Sequence, residues 1–505
     1  MANSRLVVFV HGWSVTNTDT YGELPARLMR EAGKDGGPPL DVRNVYLGQY
    51  VSFRDEVRLE DISRAFDAAV AEVMTDVGAS RRFVCITHST GGPVVRDWID
   101  RFYVKTGKLA GCPLSHLIML APANFGSALA QLGKSRLAGL ANWFEGVEPG
   151  QRVLDWLELG SPESFDLNSH WITDYAALKL TTSANPLFLF VLTGDRIDRK
   201  LYDHLNSYTG ELGSDGVVRA AAANLNATYV RLEQPQPDRG DSLENARTKL
   251  RALKVTRVEH PPHTAFKLIP NASHSGDHMG IMRSVTESGD LHPTVAAILR
   301  CLQVTDDAGY NKLCSAFDAE NAVHQAPENR LEIEQVPVIP DRQYIHDPHS
   351  MLIFRLFDDH GAHVQEVDIL LTAGENNSPD ELPAGFLTDR QANHRDPGTI
   401  TLFLNFAAMA GSPAVPGPDG SIVRPELIAR GNYGLTIRPR ATDGIVLYLE
   451  GVISAATHDI LDYVEPNQTT LVDIVLTRVV RSGVFTFTRQ LAPRSFKNDA
   501  FGNPI

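Results

Sequence analysis

Nothing in this 505-residue sequence supplies an excess of positive charge: 61 acidic residues against 47 Lys and Arg leave a formal net charge of −14, and the pI is about 5.6. That balance argues against a nucleic-acid partner, whose phosphates would be repelled, and no basic run counters it. Cysteine is scarce as well. Cys85, Cys112, Cys301 and Cys314 show no metal-ligand spacing. They read as free core thiols of a reducing compartment, with a Cys301–Cys314 bridge as the alternative. Long apolar runs are missing too. The longest, Pro186 to Leu192, is far short of the ~20 residues that cross a bilayer. Residues 1–5 enter the first strand without the charged, apolar and small-residue zones of a cleaved signal. The expected location is therefore the cytosol, or outside by a route that reads no such signal.

A chain of this length with 43% hydrophobic residues is expected to form two domains, since single cores seldom grow beyond ~250–300 residues. The stretch that carries chemistry is Arg82-Phe83-Val84-Cys85-Ile86-Thr87-His88-Ser89-Thr90-Gly91-Gly92-Pro93-Val94-Val95-Arg96-Asp97-Trp98. Phe83 to Ile86 form an apolar strand of the buried parallel type. Val94, Val95, Trp98 and Ile99 then recur at helical spacing, with almost no loop between. A serine on so tight a strand-to-helix turn has its hydroxyl lifted over the sheet edge, and small neighbours let the backbones close up. Ser89 is thus the candidate nucleophile, on a nucleophile elbow in which Thr87 stands where glycine is usual. An ordinary βα turn is the competing reading of this stretch alone.

Around it the order is βαβα: strand Leu6 to Val10, helix Leu24 to Glu31, strand Val42 to Leu47, and helix Leu59 to Val77, which point to an open parallel sheet. Leu117 to Pro122 is another buried strand, running into Ala123-Asn124-Phe125-Gly126-Ser127-Ala128-Leu129-Ala130. Taken with Val10-His11-Gly12-Trp13, the elbow, Leu159-Gly160-Ser161-Pro162 and Ser214-Asp215-Gly216-Val217-Val218, this stretch resembles the bacterial lipase and phospholipase branch of the α/β-hydrolase superfamily over about residues 4–300.

The resemblance implies an α/β-hydrolase fold, a mostly parallel sheet with helices on both faces, and a serine hydrolase of lipid esters. Trp13 and Thr90 would offer backbone N–H groups to the oxyanion. The aspartate of the Asp-Gly-x-Val turn would be the triad acid; Asp215 fits, and Asp195 at the preceding strand end is the rival. The base would stand on the loop after the last strand, Ala265 to Pro270. His274 suits that position, and His278 is its rival. A cap over about 128–180 carries the apolar residues Leu137, Leu140, Trp143, Phe144, Val153, Leu154, Trp156 and Leu157, expected to be exposed; a mobile lid and a rigid cap both fit. No metal or organic cofactor is required.

Residues Gln234 to His263 read as a polar surface excursion. The catalytic domain is expected to span 1–305, followed by a linker over 306–335. Beyond it, short alternating segments separated by Gly, Pro, Asp and Asn turns predict an all-β sandwich over 336–505. Such a module would dock on lipid, on a partner protein or on the catalytic domain itself. Asp358-Asp359 reads as a hairpin turn as readily as a calcium site. The same triad would serve a small-ester esterase, an acyltransferase or a phospholipase effector aimed at a competitor's membrane. A non-enzymatic scaffold ranks below these because all three triad residue types are in place.

Overall fold

The computed structural model describes residues 4–481 apart from 11–19, 35–36, 46–53, 79–80, 133–149, 200–209, 239–240, 336–340, 441–444 and 455–458, and beyond 481 only 489, 493, 495 and 497. Its first sheet has six parallel strands: β1 (Arg5–Val10), β2 (Leu40–Val45), β3 (Phe83–His88), β4 (Leu114–Leu120), β5 (Phe188–Thr193) and β8 (Ala265–Leu268), in the order β2-β1-β3-β4-β5-β8. The strands are short continuous apolar runs because both faces are covered. Among the described residues the longer helices are α1 (Leu24–Lys34), α2 (Leu59–Val77), α3 (Gly91–Ile99), α4 (Gln151–Leu157), α5 (Pro162–Thr173), α6 (Leu243–Leu250), α7 (Pro293–Leu302) and α8 (Asp307–His324). Side chains alternate along each strand. Leu6, Val8, Val10, Phe83 and Cys85 face Ile62, Phe66 and Val70 of α2 and Trp98 of α3. Val7, Phe9, Val84 and Ile86 face Leu24 and Leu28 of α1, Val295 and Ile298 of α7, and Tyr310 and Phe317 of α8. This is the expected α/β-hydrolase sheet, and all four cysteines are free and buried.

The second half is a β-sandwich. Its larger sheet runs β13 (Leu387–Ala392), β14 (Ile400–Asn405), β11 (His349–Asp358), β20 (Thr469–Leu476), β6 (Ala227–Glu233) and β7 (Lys254–Glu259), and its smaller one β12 (Val367–Ala373), β17 (Tyr433–Pro439) and β19 (Gly451–Ile453). Leu352, Phe354 and Ile474 of the first pack against Ile369, Leu371, Leu435 and Ile437 of the second. Short antiparallel pairs complete it: β9 (Leu331–Glu334) with β10 (Arg342–Ile345), β15 (Val415–Pro416) with β16 (Ile422–Arg424), and β18 (Val446–Leu447) with β21 (Val479–Val480). The strand expected over 484–490 lies outside the described residues.

Three expectations change. The segment 234–263 is not a surface excursion: it holds α6 and β7, and β6 pairs in parallel with β20 from Ala227↔Thr469 to Glu233↔Val475. Strands from both sides of residue 305 therefore share one sheet. The sequence reading did not identify β6 as a strand, and no local signal says which sheet a strand joins. Secondly, the stretch 306–335 contains α8, capped by Asp306, whose carboxylate accepts from Gly309 N–H at 2.8 Å. Tyr310, Leu313, Cys314 and Phe317 form its buried face, at the helical spacing of an amphipathic stripe, and Tyr310 donates to Leu189 O at 2.6 Å. Thirdly, the described part of the cap exposes no apolar face. Val153, Leu154, Trp156 and Leu157 are buried. The β-sandwich closes over α5, Arg355 stacking at 3.8 Å on the Phe165 ring and donating to Asp166 at 2.7 Å. Leu137, Leu140, Trp143 and Phe144 lie outside the described residues. Among the described residues no helix is long and apolar enough to cross a membrane.

Two histidines are folded into these cores as neutral rings. His116 of β4 donates to Val304 O at 2.9 Å, and His349 of β11 stacks on Phe403. Burial pushes both imidazoles down to about 4. An unfolded histidine titrates near 6.5, so acid is taken up first by the unfolded chain. Their contribution is complete above that pH and is lost as pH falls from about 6.5 towards 4. Going from pH 7 to pH 5 is expected to cost about 1–2 kcal/mol for each ring. Urea unfolding at the two pH values checks this, and His349→Asn should flatten the dependence.

Candidate active site

β3 delivers Ser89 and α3 begins two residues later. Ser89 has φ = 53°, a left-handed conformation that a non-glycine residue keeps only when its surroundings over-determine it. Here its N–H donates to Leu120 O at 3.0 Å, and its carbonyl accepts from Gly92 N–H at 3.3 Å. Gly92 has no room for a side chain, since a Cβ there would sit 2.8 Å from Pro122 Cβ. The strained strand-to-helix turn inferred from the sequence is thus present, with Thr87 wholly buried beside it and Gly91 leaving room for its side chain, since a Cβ on Gly91 would lie 3.2 Å from Thr87 Cβ.

Both partners come from later in the chain, on loops that follow β5 and β8. Ser89 Oγ donates to His274 Nε2 at 3.1 Å, and His274 Nδ1–H donates to Asp215 Oδ2 at 3.0 Å. Asp215 is fully buried. Its other oxygen accepts from the backbone N–H groups of Val217 and Val218 at 3.0 and 2.8 Å, across a turn in which Gly216 takes φ = 94°. His274 N–H donates to Asp215 O at 2.9 Å, so base and acid are joined by backbone and side chain. Such an arrangement can draw a proton from Ser89 while the carboxylate fixes the ring tautomer and meets the imidazolium charge.

The rivals go elsewhere. Both Asp195 oxygens accept from His324 Nε2–H at 3.0 Å, and His278 is exposed on its loop. Thr90 is buried at the start of α3, and among the described residues its N–H has no acceptor, as an oxyanion donor requires. Trp13 lies outside the described residues. Asp358 sits in a hairpin turn, accepting from His360 and Ala362 N–H. Among the described residues no group of three His, Cys, Asp or Glu is placed to hold a metal ion.

Sequence reasoning did not single out the residues that hold Ser89, His274 and Asp215 in place. The loop after β4 clamps the acid turn: Ser127 Oγ donates to Val217 O at 2.6 Å and Phe125 N–H to Ala222 O at 2.9 Å. This accounts for the Gly-Ser pair of that loop. His88 donates from Nε2 to His274 O at 3.1 Å, its ring 4.7 Å from the His274 ring. Burial, and then the charge of His274, holds its pKa well below the usual histidine value, so it stays a neutral donor. Its place between Thr87 and the nucleophile was the available signal.

Arg219, four residues past Asp215, is buried and donates to Glu211 at 2.8 and 2.9 Å and to Asp389 of β13. Its guanidinium lies 4.1 Å over the Phe403 ring. The β-sandwich is therefore tied to the acid turn. Asp389→Ala leaves Arg219 with Glu211 alone and is expected to cost about 2–4 kcal/mol of stability and about tenfold in kcat with KM unchanged. Thermal unfolding and ester kinetics of the variant check both.

No protein-family model and no curated protein matches the chain. Among solved structures it is similar to phospholipase PlaB from Legionella pneumophila, with 43% identity and a TM-score of 0.84 over 99% of this chain and 100% of that one. The same phospholipase in complex with thio-NAD gives 43% and 0.83 over the same shares. Bacillus licheniformis lipase BlEst2 is 21% identical over 44% of this chain and 80% of that one, with a TM-score of 0.32, too slight a likeness to bear on the site.

Proposed function

The chain belongs to the α/β-hydrolase phospholipase family represented by Legionella pneumophila PlaB, a serine-dependent hydrolase of lipid esters, and from that premise we propose that Ser89, His274 and Asp215 are its catalytic triad and a glycerophospholipid its substrate. Ser89 Oγ attacks the acyl carbonyl as His274 Nε2 takes its proton. The imidazolium, held by Asp215, returns that proton to the leaving alcohol. Water, activated by the same nitrogen, then resolves the acyl-enzyme and frees the fatty acid. Thr90 N–H, with Trp13 N–H as the expected second donor, faces the oxyanion, each such donor being worth about 3–4 kcal/mol.

The observation that carries this reading is the continuous relay from Ser89 Oγ through His274 to Asp215 at 3.1 and 3.0 Å, with the serine held at φ = 53°. The β-sandwich, through Arg219 and Asp389, is read as a brace for the acid turn, which favours docking on the catalytic domain over service as a detachable module. The test is release of fatty acid from phosphatidylcholine, beside p-nitrophenyl esters of increasing chain length, together with labelling by a serine-directed fluorophosphonate. Labelling of Ser89 with preference for phospholipid supports the reading. Labelling with turnover of short esters alone replaces the substrate assignment and keeps the triad.

A further inference from the structure

The carboxyl ends of β1 and β3 lie side by side, with Val10 in register with Thr87. Both lead into chemistry: β3 into Ser89 and Thr90, β1 towards Trp13, the expected second oxyanion donor. One side chain reaches both ends. Tyr21 is 1% exposed, and its hydroxyl donates to Val10 O at 2.6 Å, with Ile86 O at 3.4 Å as the longer arm of the same contact. Val10 is the last residue of β1, and Ile86 stands three residues before the nucleophile.

Packing alone does not call for a phenol at this place. A phenylalanine ring would fill the same space beside Phe9, which meets Tyr21 edge-on at 4.8 Å, and among Leu24, Leu28 and Ile86 of the same core. Burial holds the phenol pKa well above its usual value, so the hydroxyl is a donor throughout the working pH range. The bond closes across 11 positions and fastens together the two ends of the stretch that contains Trp13. Val10 O also abuts the first turn of α3, where a Cβ on Gly91 would lie 3.6 Å from it. Thr90 N–H enters that same turn. From the β4 side the elbow is held by Ser89 N–H on Leu120 O at 3.0 Å; Tyr21 supplies the hold from the β1 side. A small displacement of an oxyanion donor weakens a bond that is made fully only in the transition state, so its cost falls on kcat.

We propose that Tyr21 is a positioning residue for the oxyanion site: its hydroxyl locks the carboxyl end of β1 to the elbow strand and so sets where Thr90 N–H and the expected Trp13 N–H meet the oxyanion. The proposal deepens the triad reading above and rests on it. Tyr21 acts through the backbone and takes no part in the proton relay.

The test uses the full chain with p-nitrophenyl octanoate as substrate and octyl trifluoromethyl ketone as inhibitor, whose tetrahedral adduct with a serine carries an oxyanion. Wild type is compared with Tyr21→Phe and Tyr310→Phe. Tyr310 is the matched control: it is buried too and donates to a strand carbonyl at 2.6 Å, Leu189 O, but near the amino end of β5, away from the elbow. Each variant loses one buried hydrogen bond, and the two should lower Tm by similar amounts. Only Tyr21→Phe is expected to lower kcat, by about 10–100-fold with KM within about twofold. It should raise the Ki of the ketone by the factor by which kcat/KM falls. The pH dependence of kcat/KM should stay in place, because His274 and Asp215 are untouched. A folded Tyr21→Phe that keeps kcat within about threefold overturns the proposal. So do an effect confined to KM, a shifted pH profile, and an equal loss of kcat in Tyr310→Phe. If Tyr21→Phe does not fold, Phe9→Leu is measured in its place, since it keeps the hydroxyl but removes the ring that holds it edge-on. Lower kcat, unchanged KM and weaker ketone binding are then expected, and wild-type values for all three overturn the proposal. A wild type whose Ser89 is not labelled by a fluorophosphonate fails the triad reading instead, and is told apart because that result does not depend on Tyr21.

Discussion

Ser89→Ala is expected to lower kcat by about 10⁵–10⁶-fold with little change in KM, and to abolish labelling by a fluorophosphonate. Among the described residues its Oγ is the one nucleophile in hydrogen-bond contact with the buried His274 ring; Thr87 is fully buried and Ser127 is committed to Val217 O. Stability should barely move, since only a half-buried hydroxyl is removed and the strained φ is kept. His274→Ala should fall nearly as far, and the double variant no further than either alone, because the relay acts as a unit. What remains, about 10³–10⁴-fold over water, belongs to the oxyanion donors and to substrate binding. A Ser89→Ala protein that folds and keeps wild-type turnover removes the elbow reading and the mechanism built on it.

The proposed triad was legible because Ser89 and His274 each follow a strand whose apolar run is visible, because the elbow needs small residues at fixed offsets from the serine, and because the Asp215-Gly216-Val217-Val218 turn resembles the acid turn of related lipases. Choosing His274 over His278 needed only the distance from the end of β8. What holds the triad was not legible. His88, Ser127, Arg219 and Asp389 act through contacts between residues as much as 186 apart, and no periodicity in the sequence encodes such a pairing. The fold shows the same division. The two faces of the first sheet follow from alternation along β1 and β3, whereas the addition of β6 and β7 to the second sheet depends on the register of β20, hundreds of residues away. The linker reading of 306–335 failed for a different reason. Its helical stripe, Tyr310, Leu313, Cys314 and Phe317, was present in the sequence, but the Pro- and Glu-containing run that begins at Pro327 gave the stretch the texture of a connector.

Asp215→Asn is expected to reduce kcat by about 10⁴-fold while leaving the fold intact, and the reason lies in which atoms the carboxylate serves. Oδ1 accepts from Val217 and Val218 N–H, an arrangement an asparagine oxygen reproduces. The amide nitrogen is then forced to the Oδ2 position, facing His274 Nδ1. It can only donate there, so Nδ1 must become an acceptor and the ring proton moves to Nε2. A protonated Nε2 donates towards Ser89 instead of accepting from it, and the base is lost with its position unchanged. Asp215→Ala removes the Oδ1 bonds as well and should lose both activity and stability, by about 2–3 kcal/mol for the orphaned amides. The pair of variants thus separates the electrostatic role from the structural one. Asp195→Asn is the control: it loosens His324 and α8 but leaves the relay untouched, so its kcat should stay within about tenfold of wild type. The reverse result, with Asp195→Asn inactive and Asp215→Asn active, would move the acid to the end of β5 and make the 215–218 turn a purely structural brace.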